Sequence, residues 1–132
     1  MTQEIYIAFD DRHHFFRCLN ENPGVIIVKF GAKWCNPCKQ ISDLVEEKFQ
    51  ECNSNILCCD LDVDENIDLY SFFKKSKQIN GIPVILAFYK NNISHIPDLR
   101  VSGINIDDIH KFFKECIKVS NTINKTTIIN KK

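Results

Sequence analysis

The chain has no excess of either charge: its 132 residues carry 17 Lys and Arg against 17 Asp and Glu. That balance gives no reason to expect nucleic acid or an anionic membrane surface as a partner. No apolar stretch approaches the roughly 20 residues of a membrane-spanning helix. The opening residues, Met1-Thr2-Gln3-Glu4, are polar and acidic and do not read as a signal peptide. Internal repeats are missing, as is any compositional break that would mark a second domain. The seven cysteines are an odd number, which does not suit a secreted disulfide framework. Spare thiols fit a reducing compartment, so a cytoplasmic location is expected. Metal-ligand patterning is also poor. No second Cys or His pair with ligand spacing accompanies Cys35 and Cys38, and the adjacent His13 and His14 would point about 100° apart on a helix. What remains is a chain that is 44% hydrophobic, enough for one ordinary core.

The chain is organised around Lys33-Trp34-Cys35-Asn36-Pro37-Cys38-Lys39. The apolar run Val25-Ile26-Ile27-Val28 ends just before it, and a helical pattern from Gln40 to Gln50 begins just after it. The two cysteines therefore fall where a buried strand gives way to a helix N-terminus. A thiolate there faces unpaired backbone N–H groups and the positive end of the helix dipole. Both favour the charged, nucleophilic form of the sulfur. One helical turn brings the two sulfurs within bonding reach, so the natural reading is a reversible dithiol/disulfide couple.

Trp34-Cys35-Asn36-Pro37-Cys38-Lys39 after a strand resembles the active site of the thioredoxin family. Farther along, Ile82-Pro83 precedes the apolar run Val84-Ile85-Leu86-Ala87-Phe88, and Gly103 and an amphipathic segment follow. These resemble the family's cis-proline loop, late glycine and last helix, and the likeness runs from Ile5 to Val119. It implies an α/β thioredoxin fold: a central mixed five-stranded sheet flanked by helices on both faces. It implies a thioredoxin domain over 1–119, with a polar C-terminal tail over 120–132. It further implies a protein-disulfide reductase. Cys35, outside the helix and expected to be the more exposed sulfur, would be the nucleophile, and Cys38 would resolve the mixed disulfide. Electrons would come from an NADPH-dependent thioredoxin reductase. The chain itself would hold no cofactor and would work as a monomer on disulfide-containing proteins. Trp34, Asn36, Pro37, Ile82, Pro83 and Gly103 would form the substrate-docking surface, with Ile82–Pro83 cis and the Ile82 backbone free to pair with an extended substrate.

Four positions depart from the family pattern. The dipeptide between the cysteines is Asn-Pro rather than Gly-Pro. Asp43 stands where a kinking proline is common, so a straighter helix is expected. Lys29 stands six residues before Cys35, where the family usually has a buried Asp, while Asp60 falls where a partner Lys often lies. The two charges are thus expected to be exchanged between neighbouring strands and to pair within about 4 Å. Asp60 would then be the candidate proton acceptor for Cys38, and Lys29 would tune the thiolate.

The remaining pattern reads as a strand over 4–9, a helix from an Asp10 or Asp11 cap to Asn20, and a strand over 25–30. A strand over 56–63, a helix over 66–77 and a strand over 84–89 follow. Asn91-Asn92 makes a turn into an antiparallel strand over 93–101, and a last helix has Ile106, Ile109, Phe112, Phe113, Cys116 and Ile117 as its apolar stripe. Residues 120–132 are expected to be irregular. Cys18, Cys52, Cys58, Cys59 and Cys116 read as structural thiols, with Cys58 and Cys59 on opposite faces of one strand and Cys52 the most exposed. Two other functions compete with general reduction: electron donation to a single target, and a binding module with weak turnover.

Overall fold

The computed structural model describes the backbone of residues 4–130 and the side chains of residues 4–122. The elements are β1 (Ile5–Tyr6), α1 (Arg12–Asn20), β2 (Val25–Gly31), α2 (Asn36–Glu51), β3 (Ile56–Asp62), α3 (Ile67–Lys75), β4 (Val84–Tyr89), β5 (Leu99–Ser102) and α4 (Ile106–Asn130). They build one five-stranded sheet in the order β1-β3-β2-β4-β5. β1, β3 and β2 run parallel, while β4 and β5 each lie antiparallel to the preceding neighbour in that order.

Strand alternation divides the core between the two faces. Ile26, Val28 and Phe30 of β2 pack with Phe15 and Leu19 of α1 and Leu69 and Phe73 of α3. Val25 and Ile27 pack with Ile41, Val45 and Phe49 of α2 and with Ile109, Phe112, Phe113 and Cys116 of α4. Every residue of β2 is buried, as expected of a strand covered on both sides. α2 runs without a break past Asp43, a position that carries no proline to interrupt it.

Several boundaries differ from the sequence reading. β1 has two residues rather than six. The Asn66 side chain replaces the ladder beyond it: its Oδ1 accepts from Phe9 N–H at 2.9 Å, and its Nδ2 donates to Ile7 O at 3.3 Å. The chain thereby turns inward and buries Phe9. α3 stops at Lys75 because Lys77 adopts φ 63°. There the N–H of Lys77 donates to Lys74 O and that of Gln78 to Phe73 O, closing the helix end.

β5 begins at Leu99, not at residue 93. The Asn92 amide donates to Ile96 O at 2.8 Å and Asp98 Oδ2 at 2.7 Å, and Asn92 Oδ1 accepts from Ser94 N–H at 2.9 Å. Those side-chain bonds outcompete a strand ladder over the segment. α4 continues beyond Val119 to Asn130. Ser120 is buried in it, donating to Ile117 O at 2.8 Å and accepting from Asn53 Nδ2 at 2.9 Å. The expected irregular tail is therefore helical through residue 130, and its residues 131–132 lie outside the described residues. Ile106, placed on the apolar stripe, is instead exposed in the first turn.

Candidate active site

β2 delivers the chain to the site through Gly31, and α2 carries it away. Cys35 is the N-cap of α2, in extended conformation. Its N–H donates to Ala32 O at 3.1 Å, tying the connection back to the end of β2. Its Sγ accepts the Cys38 N–H at 3.3 Å, taking the part that a Ser or Asp oxygen plays in most caps. Pro37 sits in the first turn, where a missing N–H leaves no bond unmade. No acidic residue lies in that turn to offset the positive end of the helix beneath the sulfurs. Cys35 and Cys38 are disulfide-bonded, with Cα atoms 5.3 Å apart. The two are almost equally covered, 6% and 4% exposed. The expected difference in exposure is absent, and what separates them is position: Cys35 caps the helix and Cys38 lies within it.

The Ile82–Pro83 peptide is cis. Val84 belongs to the same apolar cluster as Cys35 and Cys38, and Ile82 packs against that cluster. Gly103 has φ 88°, in the region that favours glycine, and its N–H donates to Pro83 O at 3.1 Å. Asn36 and Pro37 are exposed. Trp34 is 65% exposed, and its Nε1 donates to Asp64 Oδ2 at 2.9 Å. Asp62 supports this corner by accepting from Lys33 N–H at 3.2 Å and Asp64 N–H at 2.8 Å. Asp62 and Asp64 are not among the site residues read from sequence, although the alternating run Asp60-Leu61-Asp62-Val63-Asp64 at the end of a buried strand is their signal.

Lys29 and Asp60 are register partners on the parallel strands β2 and β3. Lys29 Nζ lies 3.6 Å from Asp60 Oδ1, with the two side chains 7% and 35% exposed. Between this pair and the disulfide stands Gly31. A Cβ there would lie 3.5 Å from Cys38 Sγ and 3.7 Å from Lys29 Cε. The missing side chain leaves Cys38 and Lys29 facing a shared space. That space is part of an open cleft of about 670 Å³, lined among others by Lys29, Gly31, Cys38 and Asp60. Cys38 therefore has a water-accessible side with a cation–carboxylate pair in its wall.

The family model described as Thioredoxin matches residues 7–115, most of the chain. The chain belongs to the thioredoxin family. The thioredoxin of Buchnera aphidicola from Schizaphis graminum is 30% identical over 98 residues, covering 74% of this chain and 84% of that one. The thioredoxin of Pseudomonas aeruginosa is 30% identical over 70 residues, covering 53% of this chain and 61% of that one. Among solved structures, Trichomonas vaginalis thioredoxin superposes with a TM-score of 0.67 at 20% identity, covering 83% of this chain and 96% of that one, and bears on the fold alone. With a bonded Cys35–Cys38 pair at the thioredoxin position, the chain is a thiol–disulfide oxidoreductase with CxxC chemistry.

The other thiols divide by face. Cys58 and Cys59 of β3 enter opposite halves of the core, as strand alternation requires. Cys52 was expected to be the exposed one and is not. It caps the end of α2 and is 7% exposed, with its Sγ 3.4 Å from Lys48 O; Cys18 is the half-buried one. Among the described residues, no three His, Cys, Asp or Glu side chains gather as a metal site, and no helix is long and apolar enough to cross a membrane.

Proposed function

We propose that the chain reduces protein disulfides through a mixed disulfide on Cys35. The Cys35 thiolate attacks one sulfur of the substrate, and the other substrate sulfur leaves as a thiolate. The Cys38 thiolate then attacks Cys35 Sγ, releasing the second substrate thiolate and leaving the Cys35–Cys38 disulfide. The observation that carries this reading is the position of Cys35 Sγ at the helix cap, where it already accepts a backbone N–H. A charge-assisted bond of that kind favours the thiolate. The exposed Trp34, Asn36 and Pro37, the half-buried Ile82 of the cis-proline loop, Pro83 and Gly103 would hold an extended substrate segment across the sulfurs.

Asp60 acts as proton acceptor for Cys38 through water in the cleft, and Lys29 holds Asp60 in place and favours negative charge on the sulfur. Their pairing and the space over Gly31 support this. The working unit is the domain over 1–119. It acts as a cytoplasmic monomer, re-reduced by an NADPH-dependent thioredoxin reductase.

Trapping tests the assignment. Cys38→Ser should accumulate mixed disulfides through Cys35, and Cys35→Ser should neither trap nor turn over insulin disulfides with a thioredoxin reductase. Equal trapping by both variants would mean the nucleophile is misassigned. Asp60→Asn should slow resolution of the mixed disulfide more than its formation near neutral pH. Equal slowing of both steps would remove its role.

A further inference from the structure

α2 carries a cysteine at each end, Cys35 at the start and Cys52 at the finish. A helix rises about 1.5 Å per residue, so its 16 residues hold the two roughly 24 Å apart. Within one molecule Cys52 cannot take part in the Cys35–Cys38 chemistry. It has a different neighbour. Cys52 Sγ lies 3.4 Å from Lys48 O, and Cys58 Sγ lies 4.0 Å from the next carbonyl, Phe49 O. Phe49 O also accepts the Cys52 N–H at 3.1 Å. Two consecutive carbonyls at the end of α2 thus collect both sulfurs, and the Cys58 thiol is within hydrogen-bond reach of the Cys52 sulfur. That hydrogen bond lowers the Cys52 thiol from its ordinary value despite the opposing effect of burial. Cys116 shares this half of the core, but burial pushes its thiol well up. Cys58 is fully buried, whereas Cys52 retains a 7% opening. Of these two thiols a small oxidant therefore meets Cys52 first, with Cys58 within hydrogen-bond reach of it.

We propose that Cys52 and Cys58 form a second dithiol couple that small hydroperoxides oxidise, with Cys52 attacked and Cys58 resolving. The Cys52 sulfur attacks one oxygen of ROOH. The O–O bond breaks, Cys52–SOH forms, and the leaving alkoxide takes the Cys52 proton to become ROH. The Cys58 sulfur then attacks the sulfenic sulfur. The S–S bond forms, the S–O bond breaks, and water leaves with the Cys58 proton. Two thiols and ROOH become one disulfide, ROH and water. The proposal is independent of the roles given to Cys35 and Cys38.

The test uses full-length protein with Cys35→Ser and Cys38→Ser, treated with hydrogen peroxide, blocked with a maleimide and digested with trypsin without reduction. Residues 49–74 form one tryptic peptide with Cys52, Cys58 and Cys59 and no internal Lys or Arg. The expected product is that peptide, two hydrogens lighter, with a single maleimide that fragment ions place on Cys59. Adding Cys58→Ala should abolish the mass loss, leave a sulfenic acid at Cys52 that dimedone traps, and slow Cys52 oxidation about tenfold, the effect of one lost hydrogen bond. Adding Cys116→Ala should leave the link intact, and this variant serves if Cys58→Ala does not fold. A maleimide on Cys58, a peptide joined through Cys116, a dimer linked through Cys52, or Cys52 still fully blocked after peroxide would each overturn the proposal.

Discussion

Replacing Asp60 by Asn leaves the Lys29 ammonium, 7% exposed, without its counter-charge. Replacing Lys29 by Met leaves a carboxylate that is 35% exposed and already shared with water. The two ends of one ion pair should therefore differ in cost. At 3.6 Å the gross attraction is about 5 kcal/mol in an effective dielectric of about 20, before desolvation is subtracted. A fully buried ion left unpaired costs about 3–5 kcal/mol, and an exposed pair contributes about 0–1 kcal/mol. Lys29 stands nearer the first case and Asp60 nearer the second. We expect Asp60→Asn to destabilise by about 2–3 kcal/mol and Lys29→Met, which keeps the apolar stem, by no more than about 1 kcal/mol. The double variant should resemble Lys29→Met, giving a coupling of about 2–3 kcal/mol, the whole cost of Asp60→Asn. Urea unfolding of the oxidised protein, with the slope unchanged among variants, reads these values directly. Equal single costs, or a coupling below about 0.5 kcal/mol, would refute the reasoning.

A methyl group at Gly31 would sit at ordinary contact distance from Cys38 and Lys29, so Gly31→Ala should fold normally. It would fill the space between them and should slow the resolving step while leaving attack by Cys35 intact; unchanged resolution kinetics would show that the space is not used. Gly103→Ala meets no atom within 4 Å, so its cost is the φ 88° backbone alone, about 1–2 kcal/mol in thermal or urea unfolding. A neutral result would mean that the loop rearranges freely. Asp68 takes the N–H and guanidinium of Arg12, and hydrogen bonding to Arg12 holds its carboxyl at about 2. Because the folded value is depressed, this stabilisation is present above the ordinary value of 3.8 and fades as pH falls toward about 2. The stability gap between the parent and Asp68→Asn should narrow across that window, and a gap that stays constant would exclude the linkage.

The chemistry was more legible in the sequence than the boundaries were. Cys35 and Cys38 could be placed because a continuous apolar run abuts a helical pattern there, and both signals are local. Lys29 and Asp60 could be paired because the resemblance to the thioredoxin family puts them at two positions that carry opposite charges on neighbouring strands, and in the structure they are register partners. The misreadings arise where a distant side chain intervenes. Nothing near residues 4–9 tells that Asn66, far along the chain, will take over the bonds β1 would have made. Asn92 gave only a turn signal, although its amide organises the segment before β5. Ser120 looked like the start of a polar tail until Asn53 supplied a partner for its hydroxyl. Cys52 looked exposed because it follows a helix, yet it is covered by the core cluster that includes Cys58 and Cys116.

β1 guards the sheet with very little. It contributes two rungs, Ile5 against Cys58 and Tyr6 against Cys59. Beyond them the amino-terminal segment is held by the Asn66 amide and then by the forked Arg12–Asp68 pair, whose shortest contact is 2.7 Å. A load applied at that end meets these holds in series, weakest first. The strand would peel away while α1 stayed latched by its arginine. What peeling uncovers is the edge of β3, a row of backbone donors and acceptors ready to pair with any passing strand. A bulky tag or surface tether at the amino end would thus lift a guard before it disturbed the catalytic end of the molecule. A sample handled that way would be lost first to clumping, with its cysteine chemistry still in working order.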